Sequence, residues 1–164
     1  MPENIILQEG TRAPDFVLTA SNGNEVSLND FLGAQLVLFF YPKDNTPDCI
    51  REAGEFRDLY AEFKKAGARI VGVSLDTLDS HNKFISKYKI PYLMLCDTDM
   101  KMSRRYGVFK PRKVAGTKVW GIKPTTILLD KDGRIVKIFS KIKPGQHASE
   151  VLQYILQRFN REKT

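Results

Sequence analysis

Two kinds of hydrophobic pattern alternate along the chain. The segment AQLVLFFYP (34–42) is a nearly continuous apolar run of strand length, typical of a central strand covered on both faces. ARIVGVSLD (68–76) has the same character. Between them, apolar residues from Ala53 to Phe63 recur at spacings of three and four, and Gly67 follows. This spacing predicts a helix between two buried strands.

The remaining segments extend this alternation. We expect two short strands around a Ser-Asn-Gly turn in 14–28, a helix at 80–89 capped by Asp79 or Ser80, a strand at 91–97, a short helix at 99–107, an Asp-Gly hairpin at 125–140 and an amphipathic helix at 147–159. The predicted order is β-β-β-α-β-α-β-α-β-β-α. Such an order implies an α/β fold with a mixed central sheet and helices on both faces. With 164 residues, we expect a single domain spanning 1–164.

The charge is unevenly distributed. The chain carries a formal net charge of +7, yet 101–143 holds thirteen Lys or Arg against two Asp, about +11 in all. A basic face attracts anions, acidic proteins or nucleic acid. The longest apolar runs are too short to span a bilayer, and the N-terminal residues lack the features of a signal peptide. We therefore expect a cytoplasmic protein without a membrane partner.

A thiol lies at the predicted start of the helix in 46–66. If Thr46 is the N-cap, Pro47 takes position N1 and Cys49 takes N3. First-turn N–H groups and the positive end of the helix dipole favour a thiolate there, whereas the carboxylate of Asp48 opposes it. The alternative is a small buried hydrophobe, which is the usual role of a free cysteine.

Pro42, Thr46 and Cys49 form the pattern P-x-x-x-T-x-x-C, which resembles the active-site motif of peroxiredoxins. The surrounding YPKDNTPDC resembles the Q-type, or bacterioferritin-comigratory, class of these AhpC/TSA-like thiol peroxidases. The similarity continues through GTRAPDFVLTASNG, IVGVSLD, SRRYGV and TTILLDKDGRI. It implies a thioredoxin-like fold with an N-terminal β extension and an antioxidant oxidoreductase.

The resemblance also implies a role for each motif residue. Cys49 would be the peroxidatic nucleophile that reduces hydrogen peroxide or organic hydroperoxides and becomes a sulfenic acid. The Thr46 hydroxyl would bind the peroxide and the thiolate, and Pro42 would shield the site from water. The implied partners are the peroxide and a thiol reductant, thioredoxin or another thiol. No metal or organic cofactor is expected, and the class is expected to be a monomer or weak dimer.

The sequence departs from the family at the position of its catalytic arginine. The segment GIKPTT (121–126) has Pro124 there. Lys123 is the possible substitute, and Lys118, Arg112 and Arg57 are further sources of positive charge. A lysine offers charge without the planar two-pronged donor of a guanidinium. Because PTT resembles the cis-proline segment of thioredoxins, we also expect that the Lys123–Pro124 bond is cis.

The second departure concerns the resolving cysteine. Many Q-type members carry one five residues after the nucleophile, where this chain has Gly54. Cys96 is the possible resolving residue, because it lies at the end of a predicted parallel strand and hence on the sheet edge that carries Cys49. The alternative is a one-cysteine enzyme with Cys96 in the core and an external thiol as reductant.

Other functions are less well supported by the residues. His81 and His147 have no metal-ligand spacing, and surface or capping roles are expected for both. A redox sensor or thiol-exchange chaperone on the same fold is the first alternative, because the family arginine is missing. A nucleic-acid-binding protein that uses the basic segment 101–143 is a remote alternative.

Overall fold

The computed structural model describes residues 7–162, which form nine strands, five α-helices and one 3-10 helix. The strands are β1 (Val17–Ala20), β2 (Glu25–Ser27), β3 (Gln35–Phe40), β4 (Ala68–Ser74), β5 (Leu93–Cys96), β6 (Phe109–Val114), β7 (Thr117–Ile122), β8 (Thr125–Leu129) and β9 (Ile135–Phe139). The α-helices are α1 (Pro47–Asp58), α2 (Tyr60–Lys65), α3 (Leu78–Tyr88), α4 (Lys101–Arg105) and α5 (His147–Glu162), and the 3-10 helix is Leu28–Phe31. None of the helices described is both long and apolar enough to cross a bilayer.

Seven of the strands form one mixed sheet in the order β2-β1-β5-β4-β3-β8-β9. Strands β3, β4 and β5 are parallel to one another, and the other pairs are antiparallel. The N-terminal hairpin β1–β2 joins the sheet through β5, as the expected β extension. β3 lies between β4 and β8, which explains why its sequence is apolar on both faces. The predicted mixed sheet is confirmed.

Two separate cores cover the faces of this sheet. Phe39 packs in the core that holds Phe56 of α1, and Phe63, Phe84 and Ile155 bring α2, α3 and α5 to the same face. The next residue along β3, Phe40, belongs to the opposite core, where the side chains of the 3-10 helix and of α4 are buried. Consecutive side chains of a strand point to opposite faces, so β3 anchors both layers. The predicted helices on both faces are confirmed.

The helical segments differ from their predicted limits at two points. The single helix expected across 46–66 is divided at Leu59 into α1 and α2. The cap of α3 is Thr77, whose side chain accepts a hydrogen bond from the backbone N–H of Ser80 at 3.2 Å, so the choice of Asp79 or Ser80 was wrong. A cap side chain must reach the N–H two or three residues ahead, which Thr77 does for the helix that begins at Leu78.

Residues 109–122 form a hairpin that was not predicted. β6 and β7 pair with each other in a separate two-stranded sheet, joined by Ala115 and Gly116, both at positive φ. Val114 and Trp120 are exposed on this hairpin, as are the basic side chains of Lys110, Lys113 and Lys118. Of the other aromatic residues in 101–143, Tyr106 and Phe139 are buried, as expected from periodicity, and Phe109 is half-buried.

Candidate active site

Cys49 lies in the first turn of α1, as predicted. Thr46 is the N-cap with extended backbone angles (φ −89°, ψ 147°), and Pro47 is the first helical residue. The Cys49 side chain is 5% exposed and belongs to the core on the α1 face of the sheet, together with Ala53 and Phe56. The thiol is therefore at the edge of an apolar core rather than on an open surface.

The Thr46 hydroxyl lies between two acceptors. It donates a hydrogen bond to the Lys43 carbonyl at 3.0 Å, and it is also within hydrogen-bonding reach of the Cys49 sulfur. A hydroxyl has one hydrogen to donate. It must turn away from Lys43 to stabilise a thiolate or an oxygen atom of a bound ligand. Thr46 is thus correctly placed for the role that the resemblance implies, and Pro42 begins the same loop in a half-buried position.

The pKa of the Cys49 thiol lies above its ordinary value. Burial raises it most; the hydrogen bonds from Thr46 and from the Lys43 backbone lower it in part, and the negative charges of Glu52 and Asp48 raise it further. The helix start was expected to favour the thiolate, but in this structure burial outweighs the neighbouring donors. The resting thiol is therefore mainly protonated at neutral pH.

Glu52 is a site residue that the sequence reasoning missed. Its side chain is 6% exposed, one helical turn after Cys49, and its Oε1 atom has no hydrogen-bond partner. Burial and the nearby carboxylates of Glu55 and Asp48 raise the pKa of Glu52 to about 8. The signal was present in the sequence, because residue 52 falls beside Ala53 on the apolar face of α1.

Replacing Glu52 with glutamine is expected to lower the pKa of Cys49. The thiol titrates at a pH at which Glu52 is ionised, so the substitution removes a negative charge from beside the thiolate. Alkylation of Cys49 at about pH 9, followed by intact mass in a Cys96→Ser background, should be roughly threefold to tenfold faster. The matched control is Glu62→Gln on the exposed surface of α2, and an equal acceleration in that variant would contradict the prediction.

A buried network fixes the loop between Pro42 and Thr46. Asp44 accepts hydrogen bonds from the Tyr41 hydroxyl at 2.7 Å and from His81 Nδ1 at 2.8 Å, and His81 Nε2 donates to the Leu95 carbonyl at 2.9 Å. The Asp44 carboxylate and the Leu95 carbonyl can only accept hydrogen bonds. Both ring nitrogens of His81 therefore carry a hydrogen, and the ring is positively charged. Burial alone would lower the pKa of His81, but the hydrogen bond to Asp44 and its charge raise it overall.

The expected surface or capping roles of His81 and His147 are wrong, because both side chains are fully buried. His81 forms a buried ion pair with Asp44, and the ligand atoms of Asp44, Asp76 and His81 lie within 4.8 Å of one another. A doubly protonated imidazole offers no lone pair to a metal ion, so this group serves as a structural clamp on the loop. His147 packs edge-on against Phe56 and Phe139.

The candidate substitutes for the family arginine are scattered. The Lys123 side chain is exposed at the end of the hairpin, and Lys118 is exposed within β7. Arg57 donates to the Tyr88 carbonyl at 2.7 Å and pairs with Asp58, so it is engaged away from Cys49. The side chain of Arg112 lies outside the described part of the chain.

The Lys123–Pro124 bond is trans, so the expectation of a cis bond was wrong. The chain runs directly from β7 into β8 at this point, and the Lys123 N–H donates to the Val108 carbonyl at 2.8 Å. This extended connection keeps Pro124 half-buried beside Asp48 and Glu52 of α1. The residue at the family's arginine position therefore does lie next to the helix that carries the thiol.

Cys96 ends β5 on the sheet edge where β3 leads into the Cys49 loop, as predicted. Both cysteines are free and buried. β4 separates β3 from β5, and two strand spacings amount to roughly 10 Å. Residues on strands at that spacing are beyond the roughly 7 Å limit between Cα atoms of a disulfide, and Cys49 itself lies on α1, after the end of β3. Burial, together with the charges of Asp44 and Asp76, raises the pKa of Cys96 to about 11.

Comparisons with known proteins agree with this geometry. Residues 10–138 match the model of the AhpC/TSA family. The chain is 41% identical over 147 residues to peroxiredoxin Bcp of Bacillus subtilis, covering 90% of this chain and 94% of that protein. It is 40% identical over 152 residues to the chloroplastic peroxiredoxin Q of Arabidopsis thaliana, covering 91% of this chain and 67% of that one.

Solved structures give the same result. A structure from work on the alkyl peroxide reduction activity of the bacterioferritin comigratory protein of Xanthomonas campestris superposes with a TM-score of 0.86 at 35% identity. The match covers 92% of this chain and 99% of that chain. A Xylella fastidiosa PrxQ mutant superposes with a TM-score of 0.89 at 30% identity, over 94% of this chain and 98% of the other. These likenesses confirm the predicted thioredoxin-like fold.

Proposed function

The chain belongs to the AhpC/TSA family of peroxiredoxins, and from this membership we propose that Cys49 is the nucleophile of its thiol-dependent peroxidase activity. The observation that supports this assignment is the position of the thiol. Cys49 is the third residue of α1, one turn after the Thr46 hydroxyl, at the edge of an apolar core. The backbone N–H of Lys43 and the side-chain hydroxyl of Thr46 lie beside the sulfur as donors.

In the proposed reaction, a lone pair of the Cys49 sulfur reduces the peroxide by two electrons. The Cys49 thiolate attacks one peroxide oxygen, the S–O bond forms as the O–O bond breaks, and the thiolate becomes a sulfenic acid. The other oxygen leaves as hydroxide or alkoxide and takes up a proton, giving water or an alcohol. Hydrogen peroxide and organic hydroperoxides both fit this scheme, because the attacked O–O bond is common to them.

Thr46, Pro42 and Lys123 have different proposed roles beside Cys49. The Thr46 hydroxyl turns from the Lys43 carbonyl towards the reacting oxygen and stabilises its developing charge, together with first-turn N–H groups of α1. Pro42 shields the sulfenic acid from water. Lys123 is the proposed source of positive charge near the site, because it is adjacent to Pro124 in the chain and its side chain is exposed. Its ammonium acts as a point charge.

Regeneration requires a second thiol. An external reductant, thioredoxin or another thiol, attacks the sulfenic acid, and the mixed disulfide is then released by a further thiol. Cys96 is a possible resolving residue only if the start of α1 unwinds, since two strand spacings separate β3 from β5. We further propose that the chain is a single domain over 1–164, cytoplasmic, and a monomer or weak dimer.

The test is peroxide consumption with a thiol reductant, followed by intact mass of the oxidised protein. Wild type and Cys96→Ser should both gain one oxygen atom on Cys49 when treated with one equivalent of hydrogen peroxide. A mass loss of two hydrogens that disappears in Cys96→Ser would instead assign resolution to Cys96. Peroxide reduction no faster than by a free thiol would overturn the proposal.

A redox sensor or thiol-exchange protein is the second candidate. The raised pKa of Cys49 and the proline at residue 124 both favour slow reaction with peroxide. Such a protein would form a persistent mixed disulfide with a partner through Cys49 while turning over peroxide slowly. A role in nucleic-acid binding would instead use the basic segment 101–143, which includes the hairpin β6–β7, and the absence of a gel shift at low salt would exclude it.

A further inference from the structure

A cleft lies at the amino ends of β4 and β5, at the opposite end of the sheet from the proposed nucleophile. The first residues of β4, 68–70, have a neighbouring strand only on the β3 side, because β5 begins to pair with β4 at the next residue. Residues 68–71 and 90–93 both line the cleft, together with α2, α3 and the turn between β1 and β2. Its volume is about 450 Å³, which is within the range of small-molecule sites. A cleft of this size suits a small organic ligand.

Apolar and aromatic side chains form much of the wall of this cleft. Ile70 and Ile90 line it and are otherwise buried in the core on the α1 face of the sheet. The rings of Tyr60 and Tyr92 also line it, with their centroids 6.4 Å apart. The Tyr92 hydroxyl donates to the Ala53 carbonyl at 2.7 Å, so this ring is held in a fixed position. Such a wall favours a ligand with a flat, apolar body.

The cleft carries positive charge without a matching negative charge. Among the described residues that line it, Lys64 and Arg69 alone are charged, and neither forms an ion pair with a described carboxylate. Lys64 Nζ lies 5.4 Å from the centroid of the Tyr60 ring. The Arg69 guanidinium donates to the Asp30 carbonyl at 3.3 Å, and its other N–H groups remain for a ligand. Two such cations beside an apolar wall attract an anion.

The neutral polar side chains of the cleft add hydrogen-bond donors. Asn22 Oδ1 accepts from the Asn24 N–H at 3.0 Å, and Ser21 Oγ accepts from the Met94 N–H at 3.1 Å. The amide nitrogen of Asn22 and the hydroxyl of Ser21 therefore still have hydrogens to donate. The exposed amide of Asn82 on α3 is a further donor. Donors and positive charge together indicate a ligand group that is negatively charged and accepts hydrogen bonds.

We propose that this cleft binds an aromatic carboxylate. The carboxylate accepts hydrogen bonds from Arg69, whose planar guanidinium matches its two oxygens, and is attracted by the point charge of Lys64. The aromatic body of the ligand packs against the tyrosine and isoleucine side chains of the wall. This site is additional to the peroxidase function and does not depend on it, because the cleft lies at the other end of the sheet from Cys49.

Other small ligands fit the cleft less well. An inorganic anion such as phosphate would satisfy the two cations but would leave the apolar wall uncovered. A neutral aromatic compound would cover the wall but would leave Lys64 and Arg69 without a counter-charge. A cationic ligand would meet two like charges and no described carboxylate in the lining. The combination of an aromatic body and one negative group therefore matches the cleft best.

The test is binding of 2-naphthoate, which joins one carboxylate to a flat aromatic body, measured by calorimetry at about pH 7 and low salt. We expect saturable one-to-one binding with a Kd below about 1 mM, which weakens when sodium chloride is added. In nitrogen-15 correlation spectra, the shifted backbone amides should cluster at residues 21–22, 60–64 and 90–93. Binding that does not saturate, or shifted amides confined to the residues around Cys49, would overturn the proposal.

Two matched compounds separate the contributions of the charge and of the rings. 2-Naphthamide has nearly the same shape as 2-naphthoate but is neutral, and it should bind at least about tenfold more weakly. Acetate carries the charge without the rings, and it should also bind at least about tenfold more weakly. Binding of either compound as tightly as 2-naphthoate would overturn the proposal, because the proposal requires both parts of the ligand.

Variants assign the binding to this cleft. Lys64→Gln and Arg69→Gln should each weaken the binding of 2-naphthoate by roughly threefold to tenfold, since each removes one of the two cations. The matched control is Lys65→Gln, which removes the same charge from the next residue of α2, outside the cleft, and should stay within about twofold of wild type. All three side chains are exposed, so the variants should fold, and far-ultraviolet circular dichroism checks this. Unchanged binding in both cleft variants, or an equal loss in Lys65→Gln, would contradict the assignment. Peroxidase activity does not enter this comparison.

Discussion

Cys49→Ser is expected to abolish peroxide reduction, with a loss of at least about 10³-fold. A serine hydroxyl is nearly isosteric with the thiol but is not ionised at any pH at which the protein is folded, and it is a poor nucleophile towards an O–O bond. Cys49 is buried beside Ala53 and Phe56, where a hydroxyl of this size is accommodated without a change of backbone. The measurement is the initial rate of hydrogen peroxide consumption with an excess of dithiothreitol.

The matched control for this variant is Cys96→Ser. Cys96 is also buried, at the end of β5, and burial together with the charges of Asp44 and Asp76 raises its pKa to about 11. The Cys96 thiol is therefore protonated under the assay conditions and supplies little of the reactive thiolate. With dithiothreitol as reductant, Cys96→Ser should retain the wild-type rate within about twofold. Equal loss in the two variants would contradict the assignment of Cys49 as the nucleophile.

Pro124→Arg is expected to accelerate the oxidation of Cys49 by hydrogen peroxide by about 10²-fold. Pro124 lines the same cavity as Glu52 and Asp48, so a guanidinium from residue 124 would enter a wall that already holds unpaired acceptors. The added positive charge would offset the carboxylates that raise the pKa of Cys49 and would stabilise the charge that develops on the peroxide. Stopped-flow kinetics of sulfenic acid formation measures this rate.

Two further substitutions at residue 124 separate charge from loss of the proline ring. Pro124→Leu removes the ring without adding charge and should stay within about threefold of wild type. Pro124→Lys adds a point charge without a planar fork and should give an intermediate rate. An acceleration in Pro124→Leu as large as that in Pro124→Arg would show that backbone freedom, rather than the guanidinium, sets the rate.

The central fold could be predicted because its signals are local and strong. The unbroken apolar run of β3 identified an interior strand, and the cap at Thr46 with Pro47 placed Cys49 at N3. These features depend on residues within one turn or one strand of each other. The hairpin β6–β7 was missed for the opposite reason: its turn uses Ala115 and Gly116 rather than Asn-Gly or Asp-Gly, and its strands mix basic and apolar residues without a regular alternation.

The electrostatics of the site were harder to predict than its geometry. The helix start favours a thiolate. The net shift of the Cys49 pKa nevertheless depends on how deeply α1 is buried and on where the Glu52 carboxyl lies. Likewise, the burial of His81 and His147 follows from partners distant in sequence, Asp44 in one case and Thr126 in the other. Spacing along the chain carries no information about such long-range pairs, so polar residues in this core were assigned to the surface.

The position of Trp120 decides what optical experiments on this protein will report. It is the only tryptophan in the sequence, 55% exposed on β7 and stacked on Phe109 at 5.5 Å, outside both cores. Its fluorescence therefore describes the hairpin and its approach to Pro124, not the packing of the sheet. Thermal unfolding followed by tryptophan emission would therefore report the opening of the hairpin β6–β7. A ligand or partner that binds this hairpin would be detected by tryptophan fluorescence without an added label.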